Sequence, residues 1–124
     1  MVIRTHTTGT ITCTTTTDSA TLPDVTGKII AVAIKPSGVA TNFRLSTTKG
    51  GIIEYILGSA AVVNVAAAGK IFYPKIIAQD IDSADLATDR NIMEQIIMDH
   101  ADITIAVTAC AALETYVVDI IVEE

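Results

Sequence analysis

The chain of 124 residues contains no tryptophan and only five aromatic residues: Phe43, Tyr55, Phe72, Tyr73 and Tyr116. Binding single-stranded nucleic acid by stacking needs a row of exposed rings, so this inventory argues against it. Basic residues are also scarce, with 8 Lys and Arg against 14 Asp and Glu and a formal charge of −6. They stand singly along the chain, so no basic patch offers a track for phosphates. The glycine patterns G-x-G-x-x-G and G-x-x-x-x-G-K-[ST] are missing, as is a G-x-S-x-G elbow, which removes the usual phosphate cradles and the hydrolase nucleophile turn. Long apolar runs are missing too. The longest candidate, Ala60 to Ala68, is broken by Asn64 and falls far short of the roughly 20 residues of a spanning helix. Met1 to Cys13 is Thr-rich and lacks the apolar centre of a secretory signal. The expectation is therefore a chain made in the cytoplasm, with no membrane and no nucleic acid as partner.

Two cysteines, Cys13 and Cys110, are too few for a disulfide scaffold and lack C-x-x-C spacing. Each sits in a strand-like pattern, so both are expected to be buried thiols behaving as small hydrophobes. A disulfide between them stays open, because the first and last strands of an antiparallel domain can be neighbours.

Plentiful residues carry the positive argument. Hydrophobic residues make up 50% of the chain and charged ones 18%, too apolar a mixture for a disordered polymer. The chain holds 19 Ile, 11 Val and 18 Thr, all β-branched. Such side chains lose rotamer freedom in a helix and fit a pleated sheet. A chain of this length folding as one domain, residues 1–124, buries about two-thirds of its surface without staples.

Reading along the chain, Val2 to Thr17 alternates loosely, with Thr10, Thr12, Thr14 and Thr16 on one face. Asp18 to Thr26 reads as a connection. Gly27 to Lys35 is the strongest strand, apolar on both parities. Ile30, Val32 and Ile34 share one face; Ile29, Ala31 and Ala33 share the other and are small enough for close approach of a further layer. Thr41 to Thr48 and Ile52 to Leu57, joined by Lys49-Gly50-Gly51, read as a hairpin. Gly58 to Gly69 is ambiguous between a short helix and an irregular strand or loop. Lys70 to Gln79 is a strand marked by Pro74 as an edge or bulge. Asp80 to Asn91 is an acidic loop. Ile92 to Met98 favours a strand over a helix, Asp99 to Asp102 a turn, and Ile103 to Thr108 a half-buried strand. Tyr116, Val118, Ile120 and Val122 form the inner face of a closing strand. The expected architecture is all-β: a single antiparallel β-sandwich or jelly-roll-like Greek-key domain with about eight or nine short strands.

Candidate chemistry is thin. His6 lies among threonines. Asp99-His100-Asp102 has the residue types of a metal or acid–base cluster, but a polar hairpin turn accounts for it better. Asp80, Asp82, Asp85 and Asp89 offer oxygen ligands suited to calcium. The EF-hand pattern fails there, with Asp85 in place of glycine at the sixth position and Asn91 in place of glutamate at the twelfth. No residue is assigned as catalytic, cofactor-binding or metal-ligating, no cofactor is expected, and the chain is read as not an enzyme.

Gly27-Lys28-Ile29-Ile30-Ala31-Val32-Ala33-Ile34 follows a Thr-rich first strand and precedes a Thr/Gly hairpin. Phe72-Tyr73-Pro74-Lys75, the Val/Ile/Thr strand Asp102 to Thr108, and the closing strand Tyr116 to Glu124 follow in order. In this order the chain resembles head decoration and head-associated structural proteins of tailed bacteriophages and related viruses. Asp-His-Ala-Asp stands where those proteins usually have an Asp-Gly turn, and the 80–91 loop is more acidic than theirs. The resemblance implies a jelly-roll-like β-sandwich on the virion surface, binding the major capsid protein and stabilising the capsid as a homo-oligomer, with a trimer favoured. It transfers no catalytic motif. The alternatives are a phage tail or neck protein, and a carbohydrate- or cell-surface-binding β-module using Tyr55, Phe72, Tyr73 and Tyr116.

Overall fold

The computed structural model describes residues 2–59, 61–77 and 93–124. The acidic loop expected at Asp80 to Asn91 lies outside them. Every regular element described is a strand: β1 (Ile3–Thr7), β2 (Ile11–Thr12), β3 (Thr17–Pro36), β4 (Thr41–Lys49), β5 (Ile52–Leu57), β6 (Val63–Val65), β7 (Lys70–Phe72), β8 (Lys75–Ile77), β9 (Met93–Gln95), β10 (Ile97–Thr108) and β11 (Thr115–Glu123). The all-β antiparallel fold expected from the β-branched composition is present. Nine strands form one sheet in the order β1-β11-β3-β10-β4-β5, with β2 on β11, β6 on β4 and β7 on β3; β8 and β9 form a separate pair. Along the main path only β4 and β5 are consecutive, so most neighbours are reached by long returns, as in Greek-key folds.

Two strands are longer than the short strands expected. A straight 20-residue strand would run about 66 Å, whereas a domain of this length has a radius of gyration near 14 Å. β3 (20 residues) therefore bends. Its first half pairs with β10 from Thr17↔Thr108 to Lys28↔Ile97, and its second half pairs with β11 from Lys28↔Glu123 to Pro36↔Tyr116. The handover falls beside Gly27, whose φ of +123° lies outside the range comfortable for residues with a Cβ.

This bend accounts for three corrections to the sequence reading. Asp18 to Thr26 is not a connection but the first half of β3. Ala20 and Leu22 turn inward while Thr17, Ser19 and Thr21 face solvent, an alternation that polar composition conceals. Pro23 and Asp24 fall in a register break, where proline's missing N–H costs no ladder bond. Asp99 to Asp102 is likewise not a turn but a bulged stretch inside β10, with shifts between Met98, Ala101 and Ile103. Finally, Ile29 belongs to the inner face. Ile121 pairs with Ala31 but Val122 with Ile29, so Ile30 is the extra residue of a bulge and the parity below it reverses.

Other expectations stand. Gly50 and Gly51, at φ of +57° and +80°, make the two-residue turn of the β4–β5 hairpin. Lys70 to Gln79, by contrast, is not one strand: among the described residues Pro74 separates β7, which pairs with β3, from β8, which pairs with β9. β11 alternates strictly, with Tyr116, Val118, Ile120 and Val122 buried.

The inner face packs these four residues with Ile29, Val32 and Ile34 of β3, Phe43 and Leu45 of β4, and Ile103, Ile105 and Val107 of β10. Phe43 meets Tyr116 edge-on with ring centroids 5.6 Å apart. In the strand order β10 and β3 lie between β4 and β11, so a flat sheet would hold those strands about 14 Å apart. The sheet is therefore curled over its own inner face, consistent with a β-sandwich. Its outer face carries a different lattice: Thr7, Asp119, Ala33 and Ile71 lie in one line across β1, β11, β3 and β7, beside Thr5, Ile121 and Ala31.

Candidate functional site

Where the bend of β3 meets the start of β10 and the ends of β1 and β11, the surface forms an open groove of about 850 Å³. The register places its side chains. Arg4 and His6 come from the inner parity of β1, opposite Val122 and Ile120. Asp24, Thr26 and Lys28 come from the bent part of β3, Asp99 and His100 from the bulge of β10, and Glu123 and Glu124 from the chain end.

Asp24 and His100 both take positive φ, +54° and +47°, a conformation in which Asp and His are enriched among L-residues. The bulge turns their side chains together, with His100 Nδ1 2.7 Å from Asp24 Oδ1. The backbone braces the pair: His100 N–H donates to Thr26 Oγ1 at 3.0 Å, and Asp24 N–H donates to Asp102 Oδ1 at 3.1 Å. Thr47, buried on β4, donates its hydroxyl to the Asp102 carbonyl at 3.0 Å. Nearby, Arg4 Nε reaches Glu124 Oε2 at 2.7 Å. His6 Nε2 is buried without a hydrogen-bond partner.

The cluster Asp99-His100-Asp102 is thus divided. His100 pairs with Asp24, 76 positions away, and Asp102 serves the backbone of Asp24 instead. Both members of the His100–Asp24 pair are about three-quarters exposed, which keeps the pair weak as a source of stability. Thr26 Oγ1 accepts the backbone N–H of His100. The arrangement is a clasp across the bend. Among the described residues no group of three or more His, Cys, Asp or Glu gathers closely enough to hold a metal ion.

The hydrogen bond and charge of Asp24 raise the His100 pKa above its ordinary value of 6.5. His100 gains this partner on folding, so the clasp contributes fully below pH 6.5 and fades as pH climbs through the higher folded pKa. Thermal midpoints of the native chain and of His100→Gln are expected to differ at pH 5.5 and to converge as pH rises past that folded value. A gap that widens with pH would refute the pairing.

Sequence reasoning missed the Asp24–His100 pair because nothing local links the two residues. It also missed a second feature, on the outer face. There a shallow cavity of about 500 Å³ is lined by Ala33, Lys35, Gly69, Lys70, Ile71, Val117 and Asp119. Asp119 Oδ1 is buried there without a partner.

The aromatic candidates for glycan stacking are dispersed. Tyr116 is fully buried, and its hydroxyl donates to Asp18 Oδ2 at 2.9 Å. Burial first, then Asp18, pushes its phenol well above 10. Tyr55 lies on β5 under Arg44 and Phe72 lies under Lys70, while Tyr73 is exposed beyond β7. β5 borders β4 and β7 borders β3, so these rings belong to separate parts of the sheet. Among the described residues no helix is long and apolar enough to cross a membrane.

No family model matches the chain, no curated protein matches it, and no solved structure matches its fold.

Proposed function

We propose that this protein is a non-enzymatic structural component of a virion, a capsid-decorating or capsid-stabilising β-domain that binds the major capsid protein as an oligomer, with a trimer favoured. The observation that carries the reading is the outer face of β11, β3 and β7. Ala31 and Ala33 keep its centre low, and Val117, Ile121 and the 54% exposed Ile71 flank them. Small side chains let another protein layer approach the backbone closely, and apolar flanks reward that approach. A domain that binds across the joints of a shell needs a stiff scaffold and such a face. It needs no cleft and no activated nucleophile.

Mass spectrometry of purified particles from the source culture tests the proposal. The chain is expected in near-stoichiometric ratio to the major shell protein, and static light scattering of the isolated protein is expected to give an oligomer. A few copies per particle would move the protein to the neck or tail. Absence from particles, or a monomer at all concentrations, would overturn the decorating role.

A further inference from the structure

Cys13 and Cys110 stand 97 positions apart in sequence, yet the chain brings them into one buried corner, 1% and 4% exposed. Cys13 follows β2, which is paired with the start of β11. Its N–H donates to Glu114 O at 2.8 Å, and its carbonyl accepts from Leu113 N–H at 2.8 Å. Cys110 lies in the short connection from β10 to β11 and reaches back, its Sγ donating to Thr15 O at 3.2 Å. Each cysteine is therefore anchored to the other's segment, and both are free thiols. We propose that Cys13 and Cys110 are a disulfide-forming pair, which a small-molecule disulfide converts to an intramolecular cystine that staples the N-terminal segment to the β10–β11 connection.

The chemistry is two thiol–disulfide exchanges. One cysteine thiolate attacks the small disulfide RSSR and expels RS⁻. The second cysteine thiolate attacks the protein sulfur of the resulting mixed disulfide and expels the second RS⁻. The two protons lost by the cysteines end on the two RSH produced. The protein pair is oxidised by two electrons and RSSR is reduced by the same two.

Burial governs the rate. It pushes the Cys13 thiol up to about 12, and the neighbouring Cys110 adds to the rise. The thiolate is the attacking species, so the closed native state reacts slowly and exchange proceeds through local opening of the segment after β2. The linkage closes a loop of about 100 residues, the range in which a cross-link most restricts the unfolded chain.

The test incubates the full chain with oxidised glutathione, with and without a urea concentration below the unfolding transition. Intact mass and free thiols are then read after denaturation. The expected product has lost about 2 Da, has no titratable thiol and carries no glutathione. Its thermal midpoint is expected about 10 °C above that of the reduced chain. Cys13→Ser and Cys110→Ser are expected to show no such rise. Because the mass reading uses the native sequence, it holds even where a serine variant folds poorly. Two free thiols persisting in urea, a glutathione adduct on each cysteine, or a cystine that lowers the midpoint would each overturn the proposal.

Discussion

Phe43→Ala is expected to lower the free energy of unfolding by about 4 kcal/mol, measured by urea denaturation with an unchanged slope. Phe43 is completely buried, and its ring meets the ring of Tyr116 edge-on. Truncation removes the transfer free energy of the ring and leaves a void that surrounding strands cannot close without breaking ladder bonds. It also deletes an aromatic pair worth about 1 kcal/mol beyond its area. A domain of this size holds only about 5–15 kcal/mol in total, so the variant sits near the edge of folding. Phe43→Leu, which keeps most of the volume, is expected to cost much less. Ile53→Ala, at a site 56% exposed, is expected to fall within about 0.5 kcal/mol of the native chain. A loss below about 1.5 kcal/mol for Phe43→Ala would mean that the ring does not fill the space between β4 and β11.

The effect reaches beyond one side chain, because this contact joins two strands that are not neighbours in the sheet. Phe43 belongs to the β10–β4–β5 part and Tyr116 to the β1–β11–β3 part. Tyr116 is held in turn by Asp18 at the beginning of β3. The outer face proposed to meet the shell lies directly behind Tyr116, Val118 and Ile120, on the opposite parity of the same strand. Its shape thus depends on packing on the inner side.

Elements with strict alternation and a local turn were legible in the sequence. In β11 every second residue is large and aliphatic or aromatic, and in the β4–β5 hairpin two glycines at positive φ close the register. Both signals are local, set by the two-residue period of a strand and by glycine's freedom at positive φ. The failures share one physical cause. Asp18 to Thr26 and Asp99 to Asp102 are polar and contain proline or consecutive turn-formers, and locally they favour turns. They are strands because β3 and β10 pair across 70 or more positions, Asp18 to Leu22 against Val107 to Ile103 and Val25 against Ala101, a pairing that no window of neighbouring residues contains. The Ile29 parity failed for the same reason, since a bulge is defined by the partner strand. The groove inherits these errors: its central pair, Asp24 and His100, lies in the two misread segments. The burial of both cysteines was legible, as expected of small apolar side chains in strand-like surroundings.

Gly27→Ala is expected to cost about 3 kcal/mol or more, although it adds a single methyl group. Two independent penalties coincide. The φ of +123° is a conformation that residues with a Cβ rarely adopt. A Cβ built there would also stand 2.8 Å from the Glu123 carbonyl oxygen and 3.3 Å from Val122 Cβ, so it meets β11 backbone that cannot rotate away. Gly50→Ala separates the two. Gly50 also has positive φ, at +57°, but a Cβ there meets nothing within 4 Å, so only the conformational cost of about 1 kcal/mol remains. Equal losses in the two variants would show that β11 does not press on the bend. The larger loss at Gly27 is expected because this residue sits where β3 leaves β10 for β11, a step that places the groove at one end of the bend and the small-residue outer face along its second half. Moving β11 away to admit one methyl therefore disturbs both surfaces, and the thermal midpoint is expected to fall together with the proposed binding to the shell.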